Sequence, residues 1–431
     1  MSHLKPFALL CLMTLFTVSS QAEALEPAGR SGLQFPASDW PFWRGPNQDG
    51  IASAEQQPPT SWSETENVLW RAKVPGRGHS SPVVVGNRVF IASADPQREA
   101  QVVLSLDRAT GKQIWETIVH QGGFETQGNK MNKKATLASS TIASDGERLF
   151  INFLNGDAVW TSALDFEGKK LWQTRLTDYV VHQGYGSSPT LYKHLVISSA
   201  DNKSGGAIVA MDRSSGEVVW RHKRPEMPNY PSPVIVKAAG REQLIMTGCE
   251  LVTSLDPLTG ETIWETPGAT TECVTTTVTD GNVVLTSGGY PDNHIAAVAA
   301  DGSGKVVWEN TDREYVPSML ITKGHVFAIL DAGIATCLNV STGEQVWKQR
   351  LGETFSSSPV LVGDNIYVTS ESGTTHIFKA RVDEYQSVAT NSLGTEVFAS
   401  PAICGGQIFT RVSLTVDGKR EEFVVCLMDR N

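Results

Sequence analysis

The residues best suited to chemistry in this chain are three histidines, a lysine cluster, scattered acids and one aromatic-rich stretch. His79, His120 and His182 recur at or just before the first strand of successive repeats. Imidazoles placed so could converge on a metal ion or act as a general base. The alternative is polar loop side chains bonded to backbone. Lys130, Lys133 and Lys134 cluster in "HQGGFETQGNKMNKKATLAS" (120–139), where they either hold an anionic ligand or keep a long loop solvated. Asp201, Glu250, Asp292, Asp331 and Glu371 fall in loops of five different repeats. Oxygen ligands suit calcium, but such a spread predicts a solvated rim rather than one compact site. His79, Tyr185, Tyr230 and Tyr315 are expected near the mouth of a central channel, and Tyr290 falls in the loop "GGYPDNH" (288–294).

The stretch "WPFWRGPNQDG" (40–50) admits two readings. As a ligand platform, Trp40, Phe42 and Trp43 would stack on a flat ring or a cation, and Arg44 would grip a carboxylate. As a structural clip, the aromatics pack on the outside or floor near the closing repeat, with Pro41 and Pro46 stiffening the chain and Gly45 and Gly50 at turns. The clip is the expectation, because the stretch has no place in the repeat. "NQDG" also lacks the later acid of a calcium loop. The chain has no H-E-x-x-H, G-x-S-x-G, P-loop or dinucleotide fingerprint. No catalytic residue and no metal ligand set is therefore assigned.

What positions these groups is a repeat. "LDRATGKQIW" (106–115), "MDRSSGEVVW" (211–220), "LDPLTGETIW" (255–264) and "LNVSTGEQVW" (338–347) share one pattern, with tighter relatives at 164–172 and 299–308. Trp70, Trp115, Trp172, Trp220, Trp264, Trp308 and Trp347 mark its end, 39 to 57 residues apart. An apolar strand leads to an Asp or Asn that bonds turn amides, a Gly takes positive φ, and a second strand ends on Trp. The ring fills the seam to a neighbouring unit, and its N–H needs a partner there. Upstream, segments such as "SSPVVVGNRVFIAS" (80–93) and "SSPVLVGDNIYVTS" (357–370) read as hairpins.

Four short strands per 40 to 50 residues predict an all-β, eight-bladed β-propeller of four-stranded antiparallel blades. Seven blades are complete, and the seventh has lost its Trp, with Val388 near the expected place. The eighth reaches the C-terminus with three strands, and "NVLWRAKV" (67–74) supplies the fourth. N- and C-terminal strands thus share one blade, which removes exposed edges. The a–b and c–d turns are short and lie on one face. Longer d–a and b–c loops lie on the other, where ligands usually bind. The candidate binding residues are His79, His120, Lys130, Lys133, Lys134, His182, Tyr185, Asp201, Tyr290, Asp331 and Glu371.

These Asp-x-x-Thr-Gly-x-x-x-Trp repeats, with Ser-Ser-Pro opening many blades, resemble pyrroloquinoline quinone (PQQ)-type propeller repeats over residues 67–431. The chain resembles bacterial secreted PQQ-binding-like β-propeller repeat proteins, many of which begin with a W-P-x-W-R-G-P-x-x-D-G segment. It is more remotely similar to the propeller lipoprotein of the outer-membrane β-barrel assembly machinery. Members that are quinoprotein dehydrogenases carry an adjacent Cys–Cys pair, a Trp under the quinone and a Glu–Asn–Asp calcium set. This chain has no Cys–Cys pair, and no calcium triad maps residue by residue. PQQ and calcium are therefore expected only under the dehydrogenase alternative.

The ends and composition bound the rest. Residues 1–24 read as a signal peptide, with cleavage near Ala24, residues 25–66 as an extension carrying the aromatic clip, and 67–431 as the propeller. Net charge is −10, which does not support a nucleic-acid groove. Beyond the leader no membrane-spanning stretch is seen. Cys249, Cys273, Cys337, Cys404 and Cys426 form no framework and read as buried thiols, with a Cys249–Cys273 bridge as a minor option. The expectation is a monomeric, periplasmic or secreted, non-enzymatic scaffold that engages an envelope protein or glycan through its loop face. The alternative is a PQQ- and calcium-dependent dehydrogenase of alcohols or sugars.

Overall fold

Runs of β-branched residues broken by Gly, Asn or Asp turns favour antiparallel hairpins throughout. The computed structural model describes Met1 and residues 33–124 and 131–429. The leader (apart from Met1) and Lys130 lie outside the described residues. The described residues form 32 strands and no helix, in eight four-stranded antiparallel sheets. Blades 1 to 7 span 83–121, 143–178, 190–223, 234–267, 278–310, 320–350 and 360–392, each in simple a-b-c-d order. Blade 8 takes three strands from 402–427, and Val68–Val74 pairs antiparallel with Lys419–Leu427 as its outer strand.

The repeat's Trp and Gly are partners across each seam. Trp70, Trp115, Trp172, Trp308 and Trp347 donate their indole N–H to the carbonyls of Arg108, Phe166, Arg213, Val340 and Arg381 in the next blade, at 2.7–3.0 Å. Trp220 reaches the Pro257 carbonyl at 3.2 Å, whereas Trp264 donates to Gln243 Oε1 of its own blade at 2.7 Å. Gly260, at φ +71°, lies so close under Trp220 that a Cβ there would sit 2.5 Å from the ring. The glycine thus serves both the left-handed turn and the approach of the ring.

Blade 7 corrects one expectation. Tryptophan occupies the residue after the c–d bulge, as in the Cys337↔Trp347 pair, and the matching pair in blade 7 is Ile377↔Ala389. Ala389 therefore holds the tryptophan's place, while Val388 faces outward as Val346 does. The reason is geometric. Blade 8 has no covalent c–d turn, so no turn glycine awaits a ring from blade 7. Trp62 of the N-terminal segment fills this seam instead, buried in one core with Ala389, Leu393 and Val412. Asn391 fixes it by accepting from Trp62 N at 3.1 Å and donating to the Thr60 carbonyl at 3.0 Å.

The five cysteines among the described residues are buried and free, so there is no Cys249–Cys273 bridge. Cys249 Sγ faces Asp201 and the Met227 carbonyl, and Cys273 Sγ faces Thr270. Burial raises both thiols' pKa values. Among the described residues no helix is long and apolar enough to cross a membrane.

Candidate functional site

The innermost strands splay around the ring axis and cannot pair with one another, so their backbone N–H groups need other acceptors. The Ser and Thr residues that open the blades supply them. Ser81 N donates to Thr141 Oγ1 at 3.0 Å, Thr141 N to Ser188 Oγ at 2.9 Å, and Ser188 N to Ser232 Oγ at 2.8 Å. On the other side Thr276 N donates to Ser318 Oγ, Ser318 N to Ser358 Oγ, and Ser358 N to Ser400 Oγ, at 2.7–2.9 Å. These two arcs of hydroxyls form a belt along the channel and give Ser-Ser-Pro its physical purpose.

The channel is closed at one end by the N-terminal segment. Trp40 bridges to Val84 of blade 1, and the Pro41 carbonyl accepts from Ser144 N of blade 2. Gln48 Oε1 accepts from Thr190 Oγ1 of blade 3 at 2.6 Å, and Arg44 donates to the Met319 carbonyl beside blade 6 at 2.5 Å. Ile51 bridges to Leu361 of blade 7, and Gln56 Oε1 accepts from Gly406 N of blade 8. Trp43 Nε1 donates to Thr276 Oγ1 at the mouth of blade 5, at 2.9 Å. Trp40 and Phe42 are buried, while Trp43 is half-buried. The segment lies on the axis, not on the outside of the ring.

Above Trp43 a cavity of about 430 Å³ opens among the d–a and b–c loops. Trp43, Tyr230, Tyr315 and Phe398 supply aromatic surface to it, and the hydroxyl belt supplies Thr141, Ser188, Ser232, Thr276, Ser358 and Ser400. His79 lines it as well, stacked on Phe398 with ring centroids 4.4 Å apart. Burial, then the nearby Arg77, Arg411 and Arg420, hold the His79 pKa well below the usual imidazole value, so the ring is neutral. Burial raises the Tyr230 and Tyr315 phenol pKa values, with the Glu272 charge adding to the effect. Both stay protonated.

Among the described residues, the charges lining the mouth are paired. Lys134 Nζ bridges to Glu371 at 2.7 Å, tying the loop before blade 2 to blade 7. Arg313 Nε meets Asp331 Oδ2 at 3.0 Å, and Asp331 Oδ1 accepts from Tyr315 N at 2.8 Å. Beside the cavity, Glu272 Oε1 lies 2.9 Å from His182 Nε2, and Glu272 Oε2 accepts from Tyr315 Oη at 3.2 Å.

The expected residues divide accordingly. His79, Lys134, Tyr185, Asp331 and Glu371 line the cavity. His182 lies at its edge through Glu272, and Lys133 is exposed on the same loop face. His120 is not at an innermost position. The last strand of blade 1 runs on to Gln121, leaving His120 on the outer strand against Phe153 and Trp160. Asp201 is no rim residue: it is fully buried, paired with Arg224 at 3.2 Å and accepting from Asn229 at 3.0 Å. Tyr290 is exposed in a b–c loop outside the cavity lining. The three histidines therefore do not converge, and no group of three or more His, Cys, Asp or Glu among the described residues is placed to hold a metal.

Arg313, Glu272 and Phe398 carry no signal in the sequence as cavity residues. Trp43 belongs to the stretch read as either a ligand platform or a clip, and the structure gives it both a bond to the ring and a place in the cavity lining.

Comparison with known proteins agrees with the propeller fold. The family model described as outer membrane protein assembly factor BamB matches residues 45–160, 98–349 and 291–384. An outer membrane protein assembly factor BamB from Burkholderia pseudomallei is 26% identical over 385 residues, 84% of this chain and 90% of that protein. A tetrathionate hydrolase from Acidithiobacillus ferrooxidans is 21% identical, over 75% of this chain and 69% of that protein. Among solved structures, quinohemoprotein alcohol dehydrogenase from Comamonas testosteroni superposes with a TM-score of 0.66 at 13% identity, covering 91% of this chain and 82% of that one. At that identity the likeness is one of fold.

Proposed function

The chain belongs to the PQQ-repeat propeller family of outer membrane protein assembly factor BamB, and from that premise we propose that it is a non-enzymatic binding scaffold of the cell envelope. It engages a protein or glycan through the loop-rich face. The observation that carries this reading is the cavity on that face, closed below by Trp43 and bordered by charges that neutralise one another. Such a surface offers shape and hydrogen bonds without an activated nucleophile. The leader-like residues 1–24 support a periplasmic or secreted location. A ring closed through blade 8 leaves no open end for stacking and supports a monomer.

The dehydrogenase reading requires a tricarboxylate quinone with calcium, and the residues present do not fit that pair. Among the described residues, Lys134 and Arg313 line the mouth and each is committed to an acid. No carboxylate-rich donor cluster exists among the described residues. The cysteines are buried thiols separated in sequence.

A photo-crosslinking residue at position 133, on the exposed loop face, tests the proposal in intact cell envelopes. One at the outer-strand position 346 is the control. Capture from 133 and not from 346 is expected. Equal labelling from both, or dye-linked alcohol oxidation after adding PQQ and calcium, overturns it.

A further inference from the structure

Three features of the cavity restrict what it can hold. Its aromatic groups, Trp43, Tyr230, Tyr315 and Phe398, offer apolar surface on several sides. Among the described residues, the lining cations Lys134 and Arg313 are each paired with an acid, so neither is free for an anionic ligand. Two of its lining residues carry a buried polar atom that lacks a hydrogen-bond partner among the described residues, Tyr230 at Oη and His79 at Nε2. The Tyr230 hydroxyl lies beside the Gln183 backbone. An unpaired buried polar atom costs free energy that a ligand can relieve.

Resting on the scaffold reading, we propose that this cavity is a binding site for an uncharged pyranose ring, packed against Trp43 and hydrogen-bonded by Tyr230 and His79. A sugar ring combines what these walls demand. Its C–H faces pack on aromatic surface, and its hydroxyls both donate and accept. A neutral imidazole and a protonated phenol match hydroxyls, where a carboxylate or phosphate would call for a free cation. The closed base admits a single ring or a chain end. A polysaccharide threading through the channel is excluded by Trp43 and the segment around it.

The full-length chain is titrated with neutral disaccharides (maltose, cellobiose, chitobiose) by calorimetry and tryptophan fluorescence. A second arm uses immobilised polysaccharides that end in the same sugars. Binding in the first arm alone assigns a free sugar, and binding in the second alone assigns glycan ends; both support the site. Tyr230→Phe, which keeps the ring, is expected to weaken binding about fivefold. Trp43→Phe is expected to abolish most of the fluorescence response. Absence of binding in both arms by the folded wild-type chain overturns the inference. So does preference for glucuronate over glucose, or unchanged affinity in folded Tyr230→Phe. Capture from position 133 without any sugar binding would remove this inference and leave the scaffold reading standing.

Discussion

Trp43 Nε1 donates to Thr276 Oγ1 at 2.9 Å across 233 residues of chain. Ser188 N binds the Ser232 hydroxyl and Thr276 N binds the Ser318 hydroxyl, but between Ser232 and Thr276 the belt is interrupted. There the N-terminal segment enters the ring's own hydrogen-bond pattern. The same indole forms the base of the cavity, so plug and binding surface are one residue. Trp43→Phe removes the N–H and keeps most of the packing. A loss of about 1 kcal/mol in urea denaturation is expected, against about 3 kcal/mol or more for Trp43→Ala.

The inter-blade stack of Trp220 on Gly260 is tested from both sides. Trp220→Ala is expected to cost about 3 to 5 kcal/mol. Gly260→Ala forces a methyl into the ring and a non-glycine residue into positive φ, and it too is expected to destabilise. Because both changes break one contact, the double variant should lose less than the sum of the singles. Strict additivity in denaturant midpoints would show that the two residues do not share it.

Trp62 should behave as a blade tryptophan although it lies outside the repeat. Its burial with Ala389 and Leu393 at the seam of blades 7 and 8 predicts a loss of about 3 kcal/mol for Trp62→Ala. A loss under about 1 kcal/mol would place the weight of that seam elsewhere.

Lys133→Ala and Lys134→Ala separate stability from binding. Lys133 is exposed, and the Lys134–Glu371 pair is solvent-accessible on its lysine side. Exposed ion pairs contribute about 1 kcal/mol or less, so both variants should melt within a few degrees of the wild type. Capture of partners on the loop face should change.

His120 predicts a pH effect of defined sign. Burial, with Lys170 nearby, lowers its pKa from 6.5 to about 4. The folded state therefore binds fewer protons than the unfolded chain between those values. The stabilising effect is complete above pH 6.5 and is lost as pH falls toward 4, by no more than about 3 kcal/mol. Glu314, whose carboxyl burial pushes well above its usual range, opposes this trend in the total. The check is thus the difference between wild type and His120→Gln. Relative to that variant, wild type should lose stability steadily from pH 6.5 to 4; a flat difference would place His120 in water.

The blade count, the tryptophan seams and the closing strand were legible because each is a local pattern. Asp–x–x–Thr–Gly–x–x–x–Trp encodes a turn and a strand end within ten residues, and Trp70 stands in register with it. Ser-Ser-Pro was visible too, but its hydroxyl belt was not, since each bond joins residues about 40 to 60 apart in different blades. One-residue shifts also escaped the sequence. The c–d bulge places Ala389 rather than Val388 at the vacant tryptophan site, and the nine-residue last strand of blade 1 keeps His120 on the outer strand. By itself the sequence determined a ring of eight blades and which residues hold neighbouring blades together, because turns and alternation act over short distances. Only the tertiary structure decided that residues 40–52 lie on the axis, that Asp201 is buried against Arg224, and that Trp43 meets Tyr230 and His79 around one cavity. The physical reason is closure: when the ring forms, loops and a plug segment from distant parts of the chain converge on an axis that no single repeat contains.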